Sequence, residues 1–213
     1  MLLREDGDAT ICIAQTSHAW ISGQLARRWR DLEPYEPLVL AATQHDIGWA
    51  EWDRDPELDP ETGLPRSFMA MPIASRIAIW GPAAQRLSTQ SLHAALVVSL
   101  HGTWLHRDAA GAEEFRAEQR ALQERWMAEL GVDPQTAERQ RALLLLWDVL
   151  SLALCLRWDP YEHDGHTLTR LENETFALDP WPFAGDEPLE LQCEGRRAGS
   201  GELVPLRFRV ERR

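Results

Sequence analysis

The chain has 213 residues, 44% of them hydrophobic, which predicts one domain with a substantial core rather than two large independent domains. Its formal net charge of -12 and isoelectric point near 5.0 disfavour nucleic-acid binding, because neutralising phosphates requires a basic face. Cys12, Cys155 and Cys193 lie far apart in the sequence. They indicate neither a disulfide framework nor a thiolate zinc site.

The sequence predicts a cytoplasmic protein that does not enter a membrane. Acidic and basic residues occupy positions 4 to 8, where a signal peptide would need an apolar core. The longest apolar stretch, 142–156, contains Asp148 and as a helix would extend only about 22 Å, short of the ~30 Å of membrane hydrocarbon. We therefore interpret it as a buried core helix.

The N-terminal half begins with two predicted strands within residues 1–15, joined by a turn at Asp6-Gly7-Asp8. Thr16 or Ser17 can cap a helix that runs to about residue 31. A second predicted helix starts near Pro37 and carries His45 and Asp46.

Residues 53–71 form a long predicted loop rich in proline and acidic residues, of the kind that often borders a functional site. Helical patterns follow at about 73–90, 92–107, 112–130 and 134–157. Polar turns are expected after residue 159, and two alternating segments near 189–194 and 203–210 predict strands.

These elements predict a mainly α fold in a single domain, 1–213. Its helical core would cover about 16–157, and terminal segments at about 1–15 and 188–210 would pair into a small antiparallel sheet. There is no internal repeat and no low-complexity linker.

The dipeptide His45-Asp46 places two metal-binding side chains at the end of an apolar helical run. A carboxylate buried there is costly unless a cation or several donors compensate it. Asp148 poses the same problem within an almost wholly apolar helix. From the sequence, metal ligation explains Asp148 as well as the alternative does, which is a structural ion pair with an arginine or a hydrogen-bonded interruption of the helix.

His18 lies at the start of the first predicted helix and by itself favours a capping or half-exposed role. Together with His45, Asp46 and Asp148 it completes a His2Asp2 set on three helices, and such nitrogen and carboxylate ligands suit Zn, Mn, Fe, Co or Ni. His101 is the favoured additional ligand, because Gly102 beside it permits close approach of another group.

Three other residues have competing interpretations. His93 suits a helix-capping or supporting role, and His106 is expected to face solvent at a helix end. Asp53 follows Asp46 by seven positions and would share its face if the helix continued past Gly48. It is then a candidate catalytic acid or base, although a surface acid is at least as good an explanation.

The arrangement of these residues resembles the HD-domain superfamily of metal-dependent phosphohydrolases across about residues 15–157. The resemblance rests on a helical histidine at 18, the segment His45-Asp-Ile-Gly48 after an apolar helix, and Trp147-Asp-Val-Leu-Ser151 on a long late helix. It implies a helical core that clamps one or two divalent metals. The implied ligands are His18, His45, Asp46 and Asp148, with His101 or His93 as the extra histidine of two-metal members.

Nearly the whole chain also resembles an uncharacterised bacterial family, catalogued as a domain of unknown function, which brings no established activity. The motifs that carry this resemblance are Gln44-His-Asp-Ile-Gly-Trp49, Leu58-Asp-Pro-Glu-Thr-Gly63, Ser99-Leu-His-Gly-Thr103, Leu146-Trp-Asp-Val-Leu-Ser-Leu152 and Pro180-Trp-Pro-Phe183.

One departure from the superfamily pattern affects the substrate. Many HD members have a lysine where this chain has Trp49, and this chain contains no lysine. Phosphate recognition would depend on Arg54, Arg66 or Arg107, or on the metal. Trp49 and other tryptophans near the ligands could line a pocket, although core packing is their more common role.

The favoured hypothesis is a metal-dependent hydrolase of a small phosphorylated compound or nucleotide, acting through a metal-activated water. Asp53 and His101 are its candidate catalytic residues. One alternative is a non-catalytic sensor that binds a small molecule in the same helical clamp. Another is oxygen chemistry at a di-iron centre.

Overall fold

The computed structural model describes residues 1–213, in which seven strands form one curled mixed sheet beside eight α-helices. The strands are β1 Leu2–Asp6, β2 Ala9–Ile13, β3 Tyr161–His163, β4 His166–Arg170, β5 Thr175–Asp179, β6 Leu189–Arg197 and β7 Leu203–Arg212. The helices are α1 Gln15–Arg28, α2 Tyr35–Gln44, α3 Ala50–Arg54, α4 Ile73–Trp80, α5 Ala83–Ser88, α6 Leu92–Leu105, α7 Glu113–Leu130 and α8 Pro134–Leu156.

The predicted fold class is wrong. About 49% of the chain is helical, but 22% lies in a seven-stranded sheet that curls into a half-barrel, which is neither small nor wholly antiparallel. Its strand order is β1-β2-β6-β7-β5-β4-β3, and β5 runs parallel to β7. Residues 161–179, expected to form polar turns, supply the three strands that extend the sheet beyond its predicted terminal pairs.

The N-terminal hairpin and the long helices lie close to where the sequence predicts them. β1 pairs with β2 through a turn in which Gly7 has a φ of +63°, a backbone conformation that favours glycine. The predicted helix over 73–90 is instead divided into α4 and α5 at Gly81-Pro82, because proline cannot donate the hydrogen bond that would continue α4.

The chain changes direction at the His-Asp pair. Helix α2 ends at Gln44, His45 is its C-terminal cap, and Asp46 has left helical geometry with a φ of -97° and a ψ of 19°. A short 3-10 turn, Ile47–Trp49, then leads into α3. A continuous helix would have placed Asp53 on the same face as Asp46. The break in the helix means that it does not.

Helix α1 is central to the packing, with contacts to α2, α8 and β6. A core of 39 buried residues extends from the helices into the sheet, including Ile21 of α1, Trp147 of α8 and Phe208 of β7. The arrangement fixes α1 between the sheet and α8, so that its first turn lies against the buried middle of α8. None of the helices has the length and apolar character needed to cross a membrane.

Candidate metal centre

Five buried side chains from separate parts of the chain converge at one point. His18 comes from the first turn of α1, His45 and Asp46 from the end of α2, His101 from α6 and Asp148 from α8. Each is at most 6% exposed. The structure therefore brings together all five residues that the sequence selected as metal ligands.

Close helix packing places these side chains within reach of one another. A Cβ atom added to Gly23 would lie 2.1 Å from Thr43 Oγ1, so only glycine lets α1 approach α2 this closely. At the contact of α1 with α8, the Ser22 and Ser151 hydroxyls are 3.0 Å apart, and Ser151 Oγ donates to the carbonyl of Asp148 at 2.7 Å. These contacts fix the backbone next to His18 and Asp148.

The donor atoms are spaced as in a coordination sphere. His18 Nε2 lies 3.1 Å from Asp148 Oδ1 and 3.4 Å from Asp46 Oδ2. His45 Nε2 lies 3.4 Å from Asp148 Oδ1 and 3.7 Å from Asp46 Oδ2, and His101 Nε2 is 3.3 Å from Asp148 Oδ2. Two ligands at about 2.1 Å from one metal and 90–110° apart are separated by about 3.0–3.4 Å.

The hydrogen bonds of His45 leave its inner nitrogen free to bind a metal. Its Nδ1 lies 2.9 Å from the carbonyl oxygen of Ala42, which can only accept, so Nδ1 carries the proton. In the neutral ring, the form that binds a metal, Nε2 presents a lone pair to the cluster, and it has no hydrogen-bond partner in the protein. A backbone carbonyl that orients a histidine in this way is a common feature around metal ligands.

The charges of the cluster also favour a cation. Asp46 and Asp148 are buried, and every ion-pair partner within 4.0 Å of either is a histidine. The structural ion pair with arginine, which the sequence left open for Asp148, is not formed. Two buried carboxylates with only titratable neighbours leave a negative charge that a divalent ion would neutralise.

The pKa shifts reflect this competition between burial and neighbouring charges. Burial raises the pKa of Asp46. Burial also opposes the charged form of Asp148, but the adjacent imidazoles of His101, His18 and His45 hold its pKa well below its usual range. Burial lowers the pKa of His101. Burial also opposes the charged form of His45, but Asp46 and Asp148 together raise its pKa to about 9.

A cavity of about 150 Å³ opens directly onto the cluster. His18, Asp46 and Asp148 form its inner wall, and the other lining residues are Gln15, Trp49, Phe68, Arg76, Trp80, Leu105, His106 and Leu152. The cluster therefore has access to a small ligand. A larger cavity, of about 730 Å³, contains none of the five clustered side chains in its lining and lies against Asp53 and the β6–β7 loop.

A comparison with protein families finds a match over most of the chain. The family described as "Protein of unknown function (DUF3891)" matches residues 1–198. The chain belongs to this family. No curated protein and no solved structure matches the chain. The resemblance to the HD-domain superfamily gains no support from these comparisons and rests on the residue pattern alone.

Asp53 lies outside the cluster of five. Its Oδ2 accepts hydrogen bonds from the backbone amides of Gln15 at 2.7 Å and Thr16 at 3.4 Å, the first amides of α1. Asp53 therefore caps α1 from a distant part of the chain, the role that the sequence gave to Thr16 or Ser17. Burial raises its pKa to about 6. Its catalytic role remains a prediction.

The remaining predicted residues divide between the cavity and distant surfaces. Trp49 is 2% exposed and lines the cavity. His93 Nε2 lies 2.8 Å from Gln140 Oε1, which ties α6 to α8 away from the metal ligands. Arg54 lines the larger cavity, and Arg66 forms an ion pair of 2.7 Å with Glu57.

Two residues of the small cavity were missed by the sequence analysis. His106, expected to face solvent, is only 2% exposed because Trp80 and Phe115 pack against its ring. Arg76 was not selected, although it is the one charged residue in the apolar segment Ile73–Trp80. A lone charge within an apolar helix is the pattern that identified Asp148, and the same pattern marks Arg76.

Proposed function

We propose that the protein is a metal-dependent hydrolase that acts on a small phosphorylated compound. The observation that carries the proposal is the cluster of three histidines and two aspartates, buried without an arginine and spaced like metal ligands. We infer one ion per chain, because the two groups of ligand atoms that lie within 4.8 Å of one another both include His45, and its one free nitrogen, Nε2, can bind only one ion.

His18, His45, Asp46 and Asp148 would hold the ion, and His101 would supply a fifth ligand. When bound, a divalent metal lowers the pKa of a coordinated water and polarises a phosphoryl oxygen. The nitrogen and carboxylate donors suit Mn, Fe, Co, Ni or Zn. The three free cysteines are buried elsewhere and take no part in the cluster.

The residues of the cavity would bind the substrate and restrict water. Phe68, Trp80, Leu105 and Leu152 provide apolar walls beside the carboxylates and histidines. Such walls lower the local dielectric and strengthen each electrostatic contact with a bound anion. The small volume suits the reacting head group of a substrate better than an entire nucleotide.

Elemental analysis of purified protein tests the metal centre, with His101→Ala compared against His93→Ala. Both histidines lie on α6, but only His101 joins the cluster. We expect about one divalent ion in wild type and His93→Ala, weaker retention in His101→Ala, and little metal in Asp148→Ala. Equal metal content in all four proteins would overturn the ligand assignment.

A panel of small phosphomonoesters, assayed with the metal that is found, tests the reaction. Hydrolysis that is lost in Asp148→Ala and retained in His93→Ala supports the proposal. If the protein binds the phosphomonoesters but hydrolyses none of them with any of several divalent metals, the proposal is contradicted and the sensor alternative is favoured. Two irons per chain with visible absorbance would contradict it in favour of oxygen chemistry.

A further inference from the structure

The cavity beside the metal ligands concentrates buried polar atoms that have no partner in the protein. Besides His18, four of its lining residues contribute one such atom each: Gln15 Oε1, Trp49 Nε1, Arg76 Nε and His106 Nε2. A buried polar group without a hydrogen bond destabilises a folded protein. Four around one small space indicate that a ligand supplies the missing partners.

Two of these atoms are donors suited to an anion. Arg76 has no carboxylate within 4.0 Å, whereas the buried Arg141 pairs with Glu138 at 2.7 Å and Arg4 has Glu174 at 3.8 Å. Arg76 therefore forms no ion pair within the protein. The indole nitrogen of Trp49 can only donate a hydrogen bond.

His106 supplies an acceptor, and the hydrogen bonding defines its tautomer. Its Nδ1 lies 2.8 Å from the carbonyl oxygen of Gly102, so Nδ1 carries the proton and Nε2 presents a lone pair. Trp80 and Phe115 pack against the imidazole at centroid distances of 6.2 Å and 5.6 Å, which holds it in this orientation.

We propose that Arg76, Trp49 and His106 form an oxyanion subsite for a group that is both negatively charged and protonated. Its oxygens would accept hydrogen bonds from Arg76 and Trp49, and its O–H would donate to His106 Nε2. Inorganic phosphate has both features at neutral pH, and a phosphomonoester has them in its monoanionic form, whose pKa is about 6, whereas sulfate has no O–H. The subsite therefore selects protonated oxyanions.

The size of the cavity supports this ligand class. A volume of about 150 Å³ is enough for one tetrahedral oxyanion and a few further atoms. The subsite adds recognition of the phosphoryl group to the proposed function. Anion binding at the subsite is independent of that function, and only the hydrolysis that follows binding rests on it. Asp46 and Asp148 also line the cavity, so an anion binds more weakly when no cation offsets their charge.

Calorimetric titration with inorganic phosphate and with sulfate at pH 7.5 tests the subsite, on protein loaded with metal and on chelator-treated protein. We expect wild type to prefer phosphate. Arg76→Gln should weaken the binding of both anions about tenfold or more, since it removes a charged hydrogen bond. Arg86→Gln is the matched control, because Arg86 is an exposed arginine on neighbouring α5.

His106→Phe should weaken phosphate binding about tenfold and leave sulfate binding nearly unchanged, which would abolish the preference for phosphate. His106→Gln retains an acceptor and provides a second variant if the phenylalanine disturbs folding. Metal content should stay at the wild-type value in every variant.

The results separate the subsite from the metal centre. Phosphate binding that depends on Arg76, in wild type that retains no divalent metal when purified and hydrolyses no phosphomonoester with any added metal, would support the subsite and contradict the proposed hydrolase. Metal binding together with equal phosphate affinity in wild type and Arg76→Gln would overturn the subsite alone. Equal losses of affinity for phosphate and for sulfate in His106→Phe would overturn the role of the O–H group.

Discussion

Replacing Gly102 with alanine tests how tightly the cavity wall is packed against α6. The new Cβ would lie 2.9 Å from Trp80 Cε3, closer than ordinary van der Waals contact. Trp80 is 6% exposed and lies between His101 and His106, with centroid distances of 5.8 Å and 6.2 Å. The indole therefore has little room to move without disturbing a proposed ligand or the subsite.

The expected effect combines two opposing terms. Alanine within a helix is favoured over glycine by about 1 kcal/mol, whereas overpacking a core destabilises it by about 1–3 kcal/mol. We expect a net loss of about 1 kcal/mol in the free energy of unfolding. For a chain of this size that corresponds to a melting temperature about 2–4 °C lower.

Urea denaturation of Gly102→Ala, Trp80→Leu and the double variant measures the coupling between the two positions. Without the indole, the alanine should become neutral or stabilising. A Gly102→Ala protein that is about 1 kcal/mol more stable than wild type would refute the close contact. So would the absence of coupling in the double variant.

Three further predictions concern the elements that hold the ligands. Asp53→Ala should lower the free energy of unfolding by about 1–2 kcal/mol while Asp53→Asn, which keeps an acceptor for α1, retains most of it; equal stability in urea denaturation would contradict the cap. Gly23→Ala should destabilise the protein by about 1–3 kcal/mol and weaken metal affinity, because Thr43 must move away; unchanged affinity by competitive chelator titration would contradict this. The fold raises the pKa of His45 to about 9, so protonated His45 stabilises the chelator-treated protein fully below pH 6.5, and this stabilisation is lost as the pH rises to 9. Denaturation at several pH values should show that fall in stability in wild type and not in His45→Gln. A wild-type stability that does not change with pH would contradict this prediction.

The sequence located residues of the buried cluster because burial of charge leaves a local signal. Asp148 is surrounded by apolar neighbours along its own helix, and Asp46 follows an apolar run. Both patterns indicate a buried carboxylate before any tertiary structure is known. His106 gave no such signal, because Trp80 of α4 and Phe115 of α7 bury it and neither contact can be inferred from spacing along α6.

The sheet was underestimated because its missing strands are short and lack an alternating pattern. In β4 only Leu168 is fully buried, so the segment shows no alternation over several residues. In β5 the consecutive residues Phe176, Ala177 and Leu178 are all buried, which hides the two-residue period of a strand. Its partner β7 lies about thirty residues further along the chain, and such non-local pairing determines the strand where local pattern does not.

X-ray absorption spectroscopy at the edge of the bound metal tests the five-ligand centre most directly. The structure predicts only nitrogen and oxygen neighbours at about 2.0–2.2 Å, with outer-shell scattering from three imidazole rings. His101→Ala should reduce that scattering to two rings, and His93→Ala should leave it unchanged. Sulfur in the coordination sphere, or a spectrum unaltered in His101→Ala, would contradict the proposed centre.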